Sequence, residues 1–176
     1  MEKQNNIKKE IIGTVLDTVI AIAIGCLLFG VIFQPVLVKG ASMENTLHDG
    51  EFLIGLRLDK SLERGDIVVI STNKFGEDGY YIIKRVIGVS GDTIVIDYEK
   101  GLVSVNGRAL DEPYIKEEMR NPTWGEPIYT YTVSDGCIFV MGDNRNNSSD
   151  SRVIGEINTN DVKSRIFWSV SEFHAP

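Results

Sequence analysis

Two cysteines and two histidines are all that the 176 residues contain of those types. Cys26 lies inside an apolar run and Cys137 in a polar, turn-rich region, and neither has a CxxC partner. A disulfide framework and a thiolate metal site are therefore without support. His48 and His174 are too few for a histidine-based zinc centre and read as surface histidines without a special role. Basic residues are also in deficit: 18 Lys and Arg stand against 25 Asp and Glu, for a net charge of -7. That leaves no basic footprint for nucleic acid, which is set aside as a partner. Internal repeats, low-complexity tracts and helical heptads beyond residue 40 are absent too. The length suits one sizeable domain with an appended segment.

What the chain does have is one long apolar stretch. Residues 11–38, IIGTVLDTVIAIAIGCLLFGVIFQPVLV, hold a single charged residue, Asp17. About 20 helical residues cross a hydrocarbon core, so this stretch predicts a transmembrane helix. Lys3, Lys8 and Lys9 precede it and favour a cytoplasmic N-terminus. A cleaved secretory signal is the rival reading, but its apolar part would be shorter and would end at a small-x-small site, whereas this run ends Val38-Lys39-Gly40. Pro35 is expected to end the helix, with residues 36–38 emerging as an apolar strand.

Beyond residue 40 the segments EFLIGLRL, DIVVIST, YYIIKRVIGV, TIVIDY, LVSVNG, YTYTV and CIFVM are rich in β-branched and aromatic residues. Turn formers separate them, so the fold class is mainly β. Asn106-Gly107 predicts a tight hairpin. Residues 111–127, with Pro113, Pro122 and Pro127, read as a loop excursion rather than a packed element.

Chemistry is suggested first by GASMENTLHDG, residues 40–50, where Ser42 follows the apolar run closely. A serine nucleophile needs a base. With the histidines poorly placed, a desolvated lysine is the other route. Lys84 lies in YYIIKRVIGV, where residues 82, 84 and 86 share one strand face and would surround it with apolar atoms. Periodicity alone fits a solvent-facing lysine as well, and favours it.

Four segments in order shift that balance: SMENTL at 42–47, RGDIVV at 64–69, YIIKRVIGVSGD at 81–92 and GDNRNNSSDSR at 142–152. With the preceding span they cover most of the chain. In these the sequence resembles the type I signal peptidases, membrane-bound Ser/Lys endopeptidases, in their short Gram-positive-like form. The resemblance implies Ser42 as nucleophile and Lys84 as general base, and a hydrogen bond from Ser148 that orients the lysine amine. Asp150 and Arg152 match a family salt bridge, and Asp143 and Arg145 belong to the same motif, with structural roles in holding the loop. Gly40 stands where some relatives carry a serine that assists the oxyanion. Asn45 stands where the family usually has proline, and Ser90 where it often has proline.

The expected architecture is a signal-peptidase-like β-sheet catalytic domain with one N-terminal transmembrane helix. Residues 1–10 would be cytoplasmic, 11–35 the anchor and 36–176 the extracytoplasmic peptidase domain, with a small cap-like insertion around 93–138. The substrates implied are preprotein signal peptides cut after small-x-small sites at the cell membrane. Val38, Met43, Leu47 and Ile83 are candidate walls of the substrate pockets, with core packing an equal alternative. No cofactor or metal is required. Membrane lipid is a partner, and the resemblance leaves room for association with the secretion machinery. DNRNNSSD could suggest a calcium loop, but Arg145, Ser148 and Ile154 break the EF-hand template. Two rival functions are a silent membrane-anchored binding or assembly protein on the same fold and a repressor-type self-cleaving peptidase. The intact Ser42 and Lys84 disfavour the first, and the apolar span, where a DNA-reading module would stand, disfavours the second.

Overall fold

The computed structural model describes residues 2–57, 61–73, 80–120 and 126–169; His174 lies outside them. The chain starts with helix α1, Glu2–Ile32, whose stretch Glu10–Ile32 is long and apolar enough to cross a membrane and has none of its apolar window buried. The helix ends three residues before Pro35, because Phe33–Leu37 already forms strand β1. β1 pairs antiparallel with β2, Phe52–Leu56, and lies at the sheet edge. An edge strand tolerates proline's lack of an N–H donor. The expected anchor boundary at residue 35 therefore falls inside the first strand.

The remaining strands are β3 Ile67–Thr72, β4 Tyr80–Val89, β5 Thr93–Asp97, β6 Leu102–Val105, β7 Arg108–Ala109, β8 Ile128–Thr132, β9 Cys137–Met141, β10 Ile157–Asn158 and β11 Val162–Ser169. A seven-stranded sheet runs β1-β2-β11-β3-β4-β9-β10, and a four-stranded sheet runs β7-β6-β5-β8. The strands of the smaller sheet lie between Thr93 and Thr132, and the chain rejoins the large sheet at Cys137. Asn106 and Gly107 both have positive φ (52° and 77°), the geometry of the hairpin turn between β6 and β7.

β9 explains how the sheets join. Phe139 and Met141 enter a cluster with Ile87, Ile94, Ile96 and Val105 between the two sheets. Ile138 and Val140 enter another with Val68, Ile70, Ile82 and Val86 on the opposite face. Successive strand residues point to opposite faces, so a run that is apolar throughout is covered on both. A third cluster, Val38, Met43, Leu47 and Leu53, supports the segment that carries Ser42.

Two features departed from expectation. β11, VKSRIFWS, inserts between β2 and β3 although Lys163 and Arg165 interrupt its apolar pattern. A bulge between Val162 and Ser164 breaks the alternation and buries Ser164 against Gly55, where a Cβ would collide with the Ser164 side chain. Residues 111–120 are irregular but anchored: Met119 is in the intersheet core, and the Glu112 side chain is buried.

Candidate active site

Ser42 sits in a turn between β1 and β2 that is tied at both ends. Val38 N–H donates to Glu51 O and Gly50 N–H to Val38 O. Gly40, at φ 86°, makes the left-handed turn just before it, and its N–H donates to Asp49 Oδ1 at 2.7 Å. Met43 and Leu47 pin the underside through the third cluster. From the other side, Asn144 N–H donates to Ser42 O (3.1 Å) and Asn144 Nδ2 to Ala41 O (3.0 Å).

Strand β4 brings Lys84 to the same place. Its side chain shares the buried face with Ile82 and Val86, and only 3% of the residue is exposed. The face pattern fits the alternation of the strand, and the lysine is on the core side rather than the solvent side. Nζ is 2.7 Å from Ser42 Oγ and 2.9 Å from Ile83 O. Burial lowers its pKa to about 8, against the opposing pull of the Asp150 and Asp143 carboxylates; Arg152 adds slightly to the lowering. A neutral amine is then accessible near physiological pH, and the 2.7 Å contact lets the serine hydroxyl donate to it.

The GDNRNNSSDSR loop is held by three buried ion pairs. Asp150 receives Arg152 Nε and Nη2, each at 2.8 Å, and the Gly142 N–H at 2.9 Å. Burial pushes the Asp150 carboxyl up, but the Arg152 hydrogen bonds and charge and the Gly142 N–H outweigh it and hold it below the usual range. Asp150 also caps the short helix α2, Ser151–Ile154. Asp143 receives Arg85 Nε (2.9 Å) and Nη2 (2.6 Å) and the Thr46 hydroxyl. Arg145 is fully buried, pairs with Glu112 and donates Nε to Gly142 O. Such two-pronged pairs fix geometry as well as charge.

Ser148 lines the same cleft, but the expected hydrogen bond to Lys84 is not made. Among the described residues its buried Oγ meets no partner in good hydrogen-bond geometry, and it lies over Gly142, where the missing side chain leaves it room. Gly142 must be glycine for a second reason, since a Cβ there would also strike the Ser42 carbonyl. The cleft, about 660 Å³, is lined by Lys39, Gly40, Ala41, Ser42, Tyr81, Ile82, Lys84 and residues 146–149. The four candidate pocket walls do not line it. Val38, Met43 and Leu47 are core residues, and Ile83 packs against them from β4. Their apolar atoms are consumed in supporting the Ser42 turn.

Sequence reasoning did not single out Arg85, Thr46, Asn144 and Glu112. The first three were within reach, since each falls inside a quoted motif. Glu112 was not, because it is outside every motif and meets Arg145 only through the path of residues 111–120.

A serine hydroxyl against a buried, partly neutral lysine, with charged pairs steadying the loop beside it, defines a serine hydrolase site of the Ser/Lys type. The comparisons with known proteins specify this. The family model described as "Signal peptidase, peptidase S26" matches residues 11–171. Signal peptidase IB of Staphylococcus aureus (strain COL) is 34% identical over 186 residues, covering 94% of each chain. Signal peptidase I of Bacillus licheniformis is 36% identical over 159 residues, covering 86% of this chain and 83% of its own. A crystal structure of a signal peptidase I from Enterococcus faecalis V583 is 29% identical, covers 61% of this chain and 97% of its own, and superposes with a TM-score of 0.49. The chain belongs to the signal peptidase family, peptidase S26, whose members are serine proteases working through a Ser/Lys dyad.

Proposed function

We propose that this protein is a membrane-anchored endopeptidase that removes signal peptides from exported preproteins, with Ser42 as nucleophile and Lys84 as general base. The observation that carries the reading is the 2.7 Å contact between Lys84 Nζ and Ser42 Oγ at a lysine whose pKa burial lowers to about 8. Neutral Lys84 takes the hydroxyl proton as Oγ attacks the scissile carbonyl. The Ser42 N–H donates to the developing oxyanion, a contact worth about 3–4 kcal/mol in comparable sites. The protonated lysine then gives its proton to the leaving amine; neutral again, Lys84 takes a proton from a water that attacks the ester carbonyl, and returns it to Ser42 Oγ as the acyl–Oγ bond breaks.

Residues 80–84 of β4 pair with β3 on one side only, because pairing with β9 starts at Arg85. An extended substrate can add to that open side, with main-chain hydrogen bonds giving affinity and small side chains fitting the cleft beside Gly40 and Ala41. The helix Glu10–Ile32, with its N-terminus in the cytoplasm, confines enzyme and substrate to one membrane surface and raises their effective concentration. The test is incubation of the full chain, in detergent micelles, with a preprotein carrying an Ala-x-Ala site, followed by mass analysis of the products. One cut after the second alanine supports the reading. An intact preprotein, or cuts spread over unrelated sites, would refute it.

A further inference from the structure

Residues 112–120 run from the second sheet across the back of the loop that steadies Ser42 and are tied to it there by hydrogen bonds and ion pairs. Glu112, 7% exposed at its side chain, receives Arg145 Nη1 at 3.0 Å and Nη2 at 2.5 Å, and the Tyr114 hydroxyl donates to it at 2.9 Å. The Tyr114 ring lies 4.0 Å beneath the Arg85 guanidinium that grips Asp143. Lys116 N–H donates to Asp143 O, and Lys116 Nζ pairs with Glu44, two residues beyond Ser42. Asn146 closes the seam, donating to Glu118 O and accepting from Arg120 N–H.

These contacts converge on the backbone that sets the dyad. Arg145 Nε donates to Gly142 O, Gly142 packs directly under the Ser42 carbonyl, and Asn144 donates to that carbonyl. The Arg145 side chain has no exposed surface, so its charge and orientation depend on Glu112. Resting on the Ser/Lys reading above, we infer that Glu112, acting through Arg145, is a positioning residue that holds the 142–145 loop against Ser42 and so sets the Ser42 Oγ to Lys84 Nζ distance. Glu112 touches neither the cleft nor the dyad, so its loss acts on the chemical step and leaves substrate binding alone. Small displacements of reacting groups can cost on the order of a hundredfold in rate.

The experiment compares kcat and KM of the full chain with those of Glu112→Ala, the double variant Glu112→Met/Arg145→Met and Ser42→Ala, together with thermal melting of each. Glu112→Ala is expected to lower kcat at least tenfold with KM within about twofold. The double variant removes the stranded Arg145 charge along with its partner, and so recovers melting temperature relative to Glu112→Ala while kcat stays low. If kcat recovers with the melting temperature, or if Glu112→Ala keeps the unmutated kcat, the inference is overturned while the dyad stands. If Glu112→Ala does not fold, the double variant decides by the same kcat criterion. Cutting by Ser42→Ala equal to that of the unmutated chain would instead overturn the reading on which the inference rests.

Discussion

Replacing Lys84 by methionine tests how far burial has shifted its proton affinity. In the folded chain the pKa falls from 10.5 to about 8; at about 1.4 kcal/mol per pH unit this amounts to about 3 kcal/mol. The sign follows from which state holds the proton. Between pH 8 and 10.5 the unfolded chain binds a proton at this site that the folded chain has released, so stability rises with pH across that window. Below pH 8 both states are protonated, and the folded state carries the whole cost of a buried ammonium. The assay is urea unfolding of the full chain and of Lys84→Met in micelles, followed by tryptophan fluorescence from pH 7 to pH 11. The stability difference between the two proteins should move by about 3 kcal/mol in favour of the unmutated chain over that range. A difference that stays constant with pH would refute the reasoning, because it would mean that Lys84 titrates alike in both states. The same pKa predicts that the unmutated turnover rises about tenfold per pH unit below pH 7 and levels off above pH 8.

Three other perturbations have magnitudes set by the structure. Gly142→Ala drives a methyl group into the Ser42 carbonyl and the Ser148 side chain; since the backbone contact cannot yield, cleavage should fall at least a hundredfold by a gel-based assay of preprotein processing. Asp150→Ala strands the Arg152 guanidinium, 10% exposed at its side chain, and should cost about 3–5 kcal/mol in chemical denaturation. Phe139→Ala opens a cavity between the two sheets, where Phe139 packs with Tyr131, and should cost about 3–5 kcal/mol with little change in KM for the folded fraction.

The strands that the sequence made legible include ones buried on alternate residues, such as β5, and one buried almost throughout, β9. Segments such as TIVIDY and CIFVM announce themselves by β-branched and aromatic content, and all seven quoted segments contain strands. β11 was missed because a bulge and two charged residues erase its alternation, while its partners, β2 and β3, are remote in sequence. The helix end was misplaced because Pro35 was read as a helix terminator, when an edge strand accommodates it equally well. Ser42 and Lys84 were nominated from different evidence: the serine by its position after the span, the lysine chiefly by motif, since alternation alone left it facing solvent. Their meeting across 42 residues of chain depends on strand pairing that no local pattern encodes. The supporting pairs were legible only in part. Asp150 and Arg152 are adjacent in one motif, whereas Glu112 reaches Arg145 through an anchored irregular segment that composition described as loop.

The most direct test of the central claim is parallel cleavage of one Ala-x-Ala preprotein by the unmutated chain, Ser42→Ala and Lys84→Ala at pH 8. With the Ser42 hydroxyl 2.7 Å from the buried Lys84 amine, the proposed dyad predicts cutting by the unmutated chain and loss of at least a thousandfold in both variants, each of which retains a cooperative melting transition. Cutting by either variant within tenfold of the unmutated chain would contradict the Ser42–Lys84 dyad.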